Sequence, residues 1–448
     1  MALITIPSGN ATYDITANAD TYVLNAGDLL ATSISNGIDL NATNNNRVVI
    51  FGSVQAGSDG IVSINGSRTF DILIAESGSV IGASDGMSFQ GDSITVTVYG
   101  EVYGMGDSGI EIFDPTVQFG RSTIQNYGNV YGASQGVYLD QTNCALFNSG
   151  TVSAPFGLYV SAPGTQVFNS GTITAAANST TNYAVYSTFD NLYLENSGLI
   201  QSDDVAFSGG ISVVGDILIN SGTIIGTVEL NDGDDTYLGR EMGAAYDGVF
   251  GGIGNDYLQG GGADDYFEGD GGQDTLIGNA GADSLSGGSN NDTLIGGDGD
   301  DTLAGGAADD KLKGGDQDDL LDGGNGNDTL IGGRGEDTLI GGSGQDSLTG
   351  GADADVFQFL SASETPASGS RDRILDFELG VDLIDVSAIA NFTFIGTAAF
   401  SLTPGELRLF ESQNGNTKVI MDIDGDGLND AEITVVGVQG LTEGDFIL

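Results

Sequence analysis

The chain has 448 residues, with 63 acidic against 11 basic side chains and a formal charge of −52. A polyanion of this density repels phosphate, which excludes nucleic acid as a partner and points towards cations. The absence of histidine removes HExxH zinc proteases, Ser-His-Asp hydrolases and histidine-based lyases, while 39% apolar residues imply a large buried core in two or three domains.

The opening segment, MALITIPSGNATYDITANAD, lacks the basic n-region and long apolar stretch of a Sec signal peptide. No later window is long and apolar enough to span a bilayer, so no membrane span is expected. From residue 25 a short x-x-G-x-(V/I/L) motif recurs, as IFGSV at 50, NYGNV at 126, NSGTV at 148, NSGLI at 196 and NSGTI at 220. Between copies lie two further short runs, such as QGVYL and TQVFNSG. Three alternating strands per coil, broken by Gly, Asn and Ser, predict a three-faced parallel β-helix over 1–229. A β-sandwich is the rival fold, but it has no need to reuse one corner phrase. Asn25, Asn126, Asn148, Asn169, Asn196 and Asn220 are expected at equivalent corners, where stacked amides form a ladder. The single Cys144 reads as a packed thiol. Candidate acids in this half are Asp190 and the pair Asp203–Asp204, with Tyr138 and Tyr159 as proton donors or as members of a stacked column. Arg47, Arg68 and Arg121 read as isolated surface charges or as a weak anionic-glycan patch.

The last copy runs into the next region, which predicts one continuous solenoid that changes coil type near 230 and is interrupted by an excursion at 239–250. From 251 to 358 the sequence parses without a gap into twelve nonapeptides G-G-x-G-x-D-x-U-x, U being large and apolar, with a degenerate copy at 230–238. The sixth position is aspartate in all thirteen: Asp235, Asp256, Asp265, Asp274, Asp283, Asp292, Asp301, Asp310, Asp319, Asp328, Asp337, Asp346 and Asp355. Glycines permit a tight turn, and x-U-x suffices for a three-residue strand with one inward side chain. Two nonapeptides then make a coil, and stacked coils set aspartates about 5 Å apart. At an effective dielectric near 20 such a pair repels by about 3 kcal/mol. A hard divalent cation that takes six to eight oxygens removes the repulsion, which makes multiple Ca2+ ions the expected cofactor and these aspartates the expected ligands. Without calcium the same stretch reads as a disordered Gly/Asp linker.

After 358 the nonapeptide stops. SASETPASGS at 361–370 reads as a linker or loop. Asp422, Asp424, Asp426 and Gly427 match the first half of an EF-hand loop, but Glu432 comes one place early and strand-like residues flank it. A β-hairpin with an acidic turn, holding one further cation, is the better reading.

The nonapeptide resembles the calcium-binding repeat of RTX proteins, and residues 230–448 are similar to the C-terminal half of serralysin-type RTX proteins. The similarity rests on GADADVFQF, RDRILDFELGVDLIDVSAI, MDIDGDGLNDAEI and the terminal GDFIL, in which Asp445 precedes Phe446, Ile447 and Leu448. It implies an uncleaved C-terminal signal read by a type I secretion machine, an unfolded state in the calcium-poor cytosol, and folding outside the cell. The protease half of that family has no counterpart here. The expected architecture is all-β: a parallel β-helix (1–229), an RTX parallel β-roll (230–358) and a β-rich cap carrying the secretion signal (359–448). Two functions fit. One is a non-enzymatic adhesin, matrix or surface-layer component at the cell surface that self-assembles or binds a cell-surface glycan. The other is a polysaccharide lyase, epimerase or glycosidase, since secreted alginate epimerases and lyases also join a β-helix to RTX repeats.

Overall fold

The computed structural model describes all residues except 1–2, 16–20, 34, 41–45, 64–68, 91–92, 114–120, 177–181, 190, 212, 241–243, 246 and 368–370. The fold is a parallel β-solenoid, and among the described residues the one helical piece is the 3-10 turn Glu443–Asp445. The chain forms two compact units, Met1–Phe250 and Gly251–Leu448.

Each coil of the first unit carries three short strands, as in Thr123–Asn126, Asn129–Gly132 and Gln135–Asp140. The next coil repeats them as Ala145–Asn148, Thr151–Ala154 and Phe156–Val160, paired in parallel register. Alternation within four or five residues sends Ile124, Val130, Val137 and Leu139 into a fully buried core and their neighbours outward. The glycine of each NSG corner is fixed by close approach between coils. A Cβ on Gly150, Gly171, Gly198 or Gly222 would run into the carbonyl oxygen of Gly128, Gly150, Gly171 or Gly198 beneath it.

The corner amides form the expected ladder. Asn126, Asn148, Asn169 and Asn196 each donate from Nδ2 to Oδ1 of the next asparagine, ending at Asn220, all at 2.8 Å. These side chains are at most 1% exposed, so the amide chain satisfies polar atoms that burial would otherwise penalise. Asn25 is not part of it. The register runs Leu24–Ile50–Ile74–Val98–Asn126, so the residue equivalent to the ladder is Leu24, and Asn25 sits exposed one place further on. At Leu24, Ile50, Ile74 and Val98 this corner is apolar and buried, and the amides begin at Asn126.

Cys144 is buried with its thiol 3.6 Å from Gln141 Oε1, and burial pushes that thiol up to about 12. Of the expected excursion at 239–250, the described part is built into the sheet. Ala244–Ala245 pairs with Thr223–Ile224, and Val249 and Phe250 pair with Val228 and Glu229.

The second unit begins as a two-faced roll with 18 residues per coil. Leu276 pairs with Leu294, Leu294 with Leu312 and Leu312 with Leu330 on one face. On the other face Leu285 pairs with Leu303 and Leu303 with Leu321. These leucines are at most 2% exposed and form the whole apolar interior of each coil. Nine of the twelve strands between Tyr257 and Gln358 are six residues long, as in Thr293–Asp298, twice the three expected, because the glycine pair of the following repeat stays paired with its counterpart 18 residues away (Gly297 with Gly315). Tyr257–Gln259, Thr338–Ile340 and Val356–Gln358 keep three.

Residues beyond 358 close this unit. Arg373–Ile374 and Leu383–Asp385 add to the two faces of the roll. The strands Glu406–Glu411, Thr417–Asp422 and Ala431–Val435 form an antiparallel meander. Phe446–Ile447 pairs in parallel with Leu383–Asp385.

Candidate metal centre

The nonapeptide aspartates of the second unit line up in two columns, one per face. In the first, the backbone N–H of Asp256 donates to Asp274 Oδ1, and so on through Asp292, Asp310, Asp328 and Asp346. In the second, Asp265 leads to Asp283, Asp301, Asp319, Asp337 and Asp355. Every link is 2.7–3.0 Å long and spans 18 residues. One carboxylate oxygen thus has a structural task, which is to accept the N–H at the start of the strand one coil below.

Two further members complete the columns. Asp346 N–H donates to Asp372 Oδ1 at 3.0 Å, and Asp355 N–H donates to Asp382 Oδ1 at 3.1 Å. Sequence reading missed both because they follow 26 and 27 residues later. Their signal was present as Asp-x-apolar: Asp372-Arg373-Ile374 repeats Asp346-Ser347-Leu348, and Asp382-Leu383-Ile384 repeats Asp355-Val356-Phe357. Asp235, of the degenerate copy, lies in the first unit, where Oδ1 accepts the N–H of Asp216 at 2.5 Å.

The second oxygen is different. Oδ2 of Asp283, Asp292, Asp301, Asp310, Asp319, Asp328, Asp337 and Asp355 is buried and meets no hydrogen-bond donor among the described residues. In Asp265 it accepts the N–H of Gly261 at 3.0 Å. The first glycine of each repeat leaves room for that oxygen: a Cβ on Gly278, Gly287, Gly296 or Gly305 would strike Oδ2 of Asp283, Asp292, Asp301 or Asp310. Burial, followed by the like charges nearby, raises Asp283, Asp292, Asp319 and Asp355 to about 7 and Asp310, Asp328 and Asp337 to about 6. Asp346 and Asp372 are both pushed up, first by burial and then, at Asp346, by the neighbouring carboxylate. The three basic residues of 251–358 do not relieve the columns. Arg334 pairs with Asp316 on the surface at 3.1 Å, and Lys311 and Lys313 occupy exposed strand positions. Rows of buried oxygens without a donor, beside backbone carbonyls such as that of Gly305 near Asp292, are the donor set a hard oxygen-seeking cation takes. The residues present therefore fit calcium.

At the fifth position a second, exposed ladder runs alongside. Side-chain oxygens of Asn255, Asp264, Asp309, Asp318 and Asn327 accept the N–H of the fifth residue one coil on. Ten of the twelve fifth positions between 251 and 358 are Asn, Asp, Gln or Glu, which is the signal for it.

In the cap, carboxylate oxygens of Asp422, Asp424 and Asp426 lie within 4.8 Å of one another. They are engaged by their own loop: Asp422 accepts the N–H groups of Gly425 and Gly427, Asp424 that of Asp426, and Asp426 that of Leu428. Glu432 is committed elsewhere, to Arg371 at 2.9 Å and Lys418 at 2.8 Å. It anchors the meander instead of completing an EF-hand.

Of the acids in the first unit, Asp203 and Asp204 are exposed where the strand Leu199–Ser208 bends between two faces, a position typical of solvated turn formers. Asp190 and Arg68 lie outside the described residues. Arg47 pairs with Asp71 at 3.3 Å with both side chains half exposed, and Arg121 is exposed. Tyr138 and Tyr159 are neighbours in one column with ring centroids 5.2 Å apart.

Comparison with known families agrees with this geometry. The family described as RTX calcium-binding nonapeptide repeat (4 copies) matches residues 249–276, 268–303, 286–321 and 295–330. The family described as Peptidase M10 serralysin C terminal matches residues 323–448. No curated protein matches the chain. Among solved structures, the solution structure of the AlgE6R3 subunit from the Azotobacter vinelandii mannuronan C5-epimerase is 32% identical over 32% of this chain and 80% of that one, with a TM-score of 0.27.

Proposed function

We propose that the chain, whose residues 249–330 match the RTX calcium-binding nonapeptide repeat and 323–448 the serralysin C-terminal family, is a type I secreted extracellular scaffold: unfolded at cytosolic calcium, folded outside the cell, and acting without catalysis as an adhesin, matrix or surface-layer component. The observation that carries this reading is the pair of aspartate columns, in which the buried Oδ2 of Asp283, Asp292, Asp301, Asp310, Asp319, Asp328, Asp337 and Asp355 meets no donor among the described residues. We assign the calcium-holding role to Asp256, Asp265, Asp274, Asp283, Asp292, Asp301, Asp310, Asp319, Asp328, Asp337, Asp346 and Asp355, and to Asp235 in the degenerate copy. Bound calcium supplies the positive charge that the sequence withholds. The aspartates hold it through Oδ2 while Oδ1 keeps its backbone N–H, so folding and metal capture are one event. Saturating one site at about a hundred times its Kd adds about 2.7 kcal/mol.

We assign separate roles to a β-helix (1–229), a roll (230–358) and a cap (359–448): contact with the surroundings, calcium-driven folding, and export. Asp445 is buried, its Oδ1 accepts the N–H of Gly380 at 3.0 Å, and Phe446–Ile447 is paired in a sheet. A secretion machine that reads this terminus must therefore do so before the roll folds.

The test is electron microscopy of the purified protein in calcium and in chelator, with a panel of acidic polysaccharides assayed for turnover in parallel. The scaffold reading expects filaments or lattices in calcium alone and no turnover. Turnover lost on Asp203→Ala or Asp204→Ala would replace it with the polysaccharide-acting enzyme.

A further inference from the structure

The three tightest cofacial aromatic contacts among the described residues of the first unit are Tyr99 on Tyr127, Tyr103 on Tyr131 and Phe147 on Phe168. Their centroids are 4.9 Å apart and their ring planes within 14° of parallel. Rings in such columns cover one another's faces and are accounted for by coil stacking. A fourth group is mixed: Phe156 and Tyr183 stack at 19° with centroids 5.7 Å apart, but the other rings meet at larger angles. Phe156 and Tyr183 form one column and Tyr138, Tyr159 and Tyr186 the column beside it, in register on successive coils. All five side chains are half-buried. The planes meet at 73° for Tyr138–Tyr159, 72° for Phe156–Tyr159, 59° for Phe156–Tyr186 and 54° for Tyr159–Tyr186, with Tyr183–Tyr186 tilted by 40°. An edge-on contact leaves ring face uncovered by the neighbour, so the patch presents both ring faces and hydroxyls to solvent.

Polar groups border it in a defined order. Tyr138 is in register with Glu111 of the coil before. The Tyr138 hydroxyl lies 3.0 Å from the Ser161 hydroxyl, which donates to Asp140 Oδ1 at 2.8 Å. Ser88 donates to Glu111 Oε2 at 2.6 Å. The four strands that build the patch, Ile110–Phe113, Gln135–Asp140, Phe156–Val160 and Tyr183–Ser187, contain no lysine or arginine. Carboxylate acceptors without a cation repel anionic polysaccharides and anionic lipid surfaces, and they accept hydrogen bonds from uncharged hydroxyls.

We propose that this patch is a binding site for a neutral polysaccharide, laid across successive coils with sugar C–H faces on the rings of Tyr159, Tyr183 and Tyr186 and hydroxyls donating to Glu111 and Asp140. The proposal rests on the extracellular reading above and names the surface that such a scaffold engages.

The test is affinity electrophoresis of the full chain in calcium, in gels containing dextran, β-glucan, galactomannan or alginate. At least one neutral polysaccharide should retard the protein and alginate should not. The double variant Tyr159→Ala/Tyr186→Ala should weaken retardation about tenfold or more, while Tyr99→Ala, in a cofacial column, should leave it unchanged. Footprinting on the unmodified protein keeps the test independent of variant folding: the retarding polysaccharide should protect Tyr159 and Tyr186 from iodination and leave Tyr99 reactive. Absence of retardation by every neutral polysaccharide, equal retardation by alginate, or protection spread evenly over all tyrosines would overturn the proposal. Circular dichroism and microscopy of the same sample read calcium folding and assembly separately, so the scaffold reading stands or falls independently.

Discussion

Acid should fold the roll in the absence of calcium. Asp283, Asp292, Asp319 and Asp355 sit at about 7 and Asp310, Asp328 and Asp337 at about 6 in the folded state, against 3.8 for the free side chain. A carboxyl group raised on folding binds its proton more tightly in the folded state. Its contribution is therefore fully present below about pH 4 and is lost as pH climbs through 6 to 7. A rise of two to three pH units corresponds to about 3–4 kcal/mol per group. Allowing for solvent screening at the loop mouths, about half of that remains. Over seven groups the sum is about 10 kcal/mol, the size of a whole domain's stability. Far-UV circular dichroism of the full chain in chelator, stepped from pH 7.5 to 5 and kept above the pI of about 4.1, should show β-structure growing as pH falls. Constant or declining β-signal on acidification would refute the claim that ionised columns are what hold the calcium-free roll open.

Other expectations are more local. Asn169→Ala interrupts the amide ladder between Asn148 and Asn196 and should cost about 2–3 kcal/mol, seen as a lowered melting temperature of the first unit that calcium does not restore. Ala308 holds a φ of +86°, so Ala308→Gly should stabilise the roll by about 1 kcal/mol; an unchanged or lower denaturation midpoint in calcium would contradict this. Asp382→Ala removes the acceptor of the Asp355 and Glu378 N–H groups. It should cost about 3 kcal/mol and raise the calcium concentration needed for half-maximal folding, whereas an unchanged midpoint would mean that the cap does not complete the column.

The roll was legible because its period is rigid. A nine-residue repeat leaves no freedom in where Leu294, Leu312 and Asp310 fall, so two repeats per coil and two columns follow from arithmetic and strand spacing. The β-helix was legible only in outline, since its coils vary in length. Counting from glycine put Asn25 on the ladder, when pairing through Leu24 and Ile50 shows that it lies one residue off. The length of the roll strands was underread because glycine pairs such as Gly296–Gly297 look like turns, although they remain paired with the next coil. Asp372 and Asp382 escaped notice because the cap inserts loops between otherwise faithful Asp-x-apolar triplets. The tilted aromatic patch was half seen: one-coil spacing placed Tyr138 beside Tyr159, but the lateral approach of Phe156 and Tyr183 depends on how neighbouring columns pack, which one-dimensional spacing does not encode. Glu432 resembled a misplaced EF-hand ligand because its partners, Arg371 and Lys418, are 61 and 14 residues distant in the chain.

The most direct test of the account is a calcium titration of the full chain at pH 7.5, starting from chelated protein and followed by far-UV circular dichroism and thermal melting. A cooperative gain of β-structure and a large rise in melting temperature are predicted. Identical spectra and melting curves in calcium and in chelator would contradict the claim that the aspartate columns fold around metal.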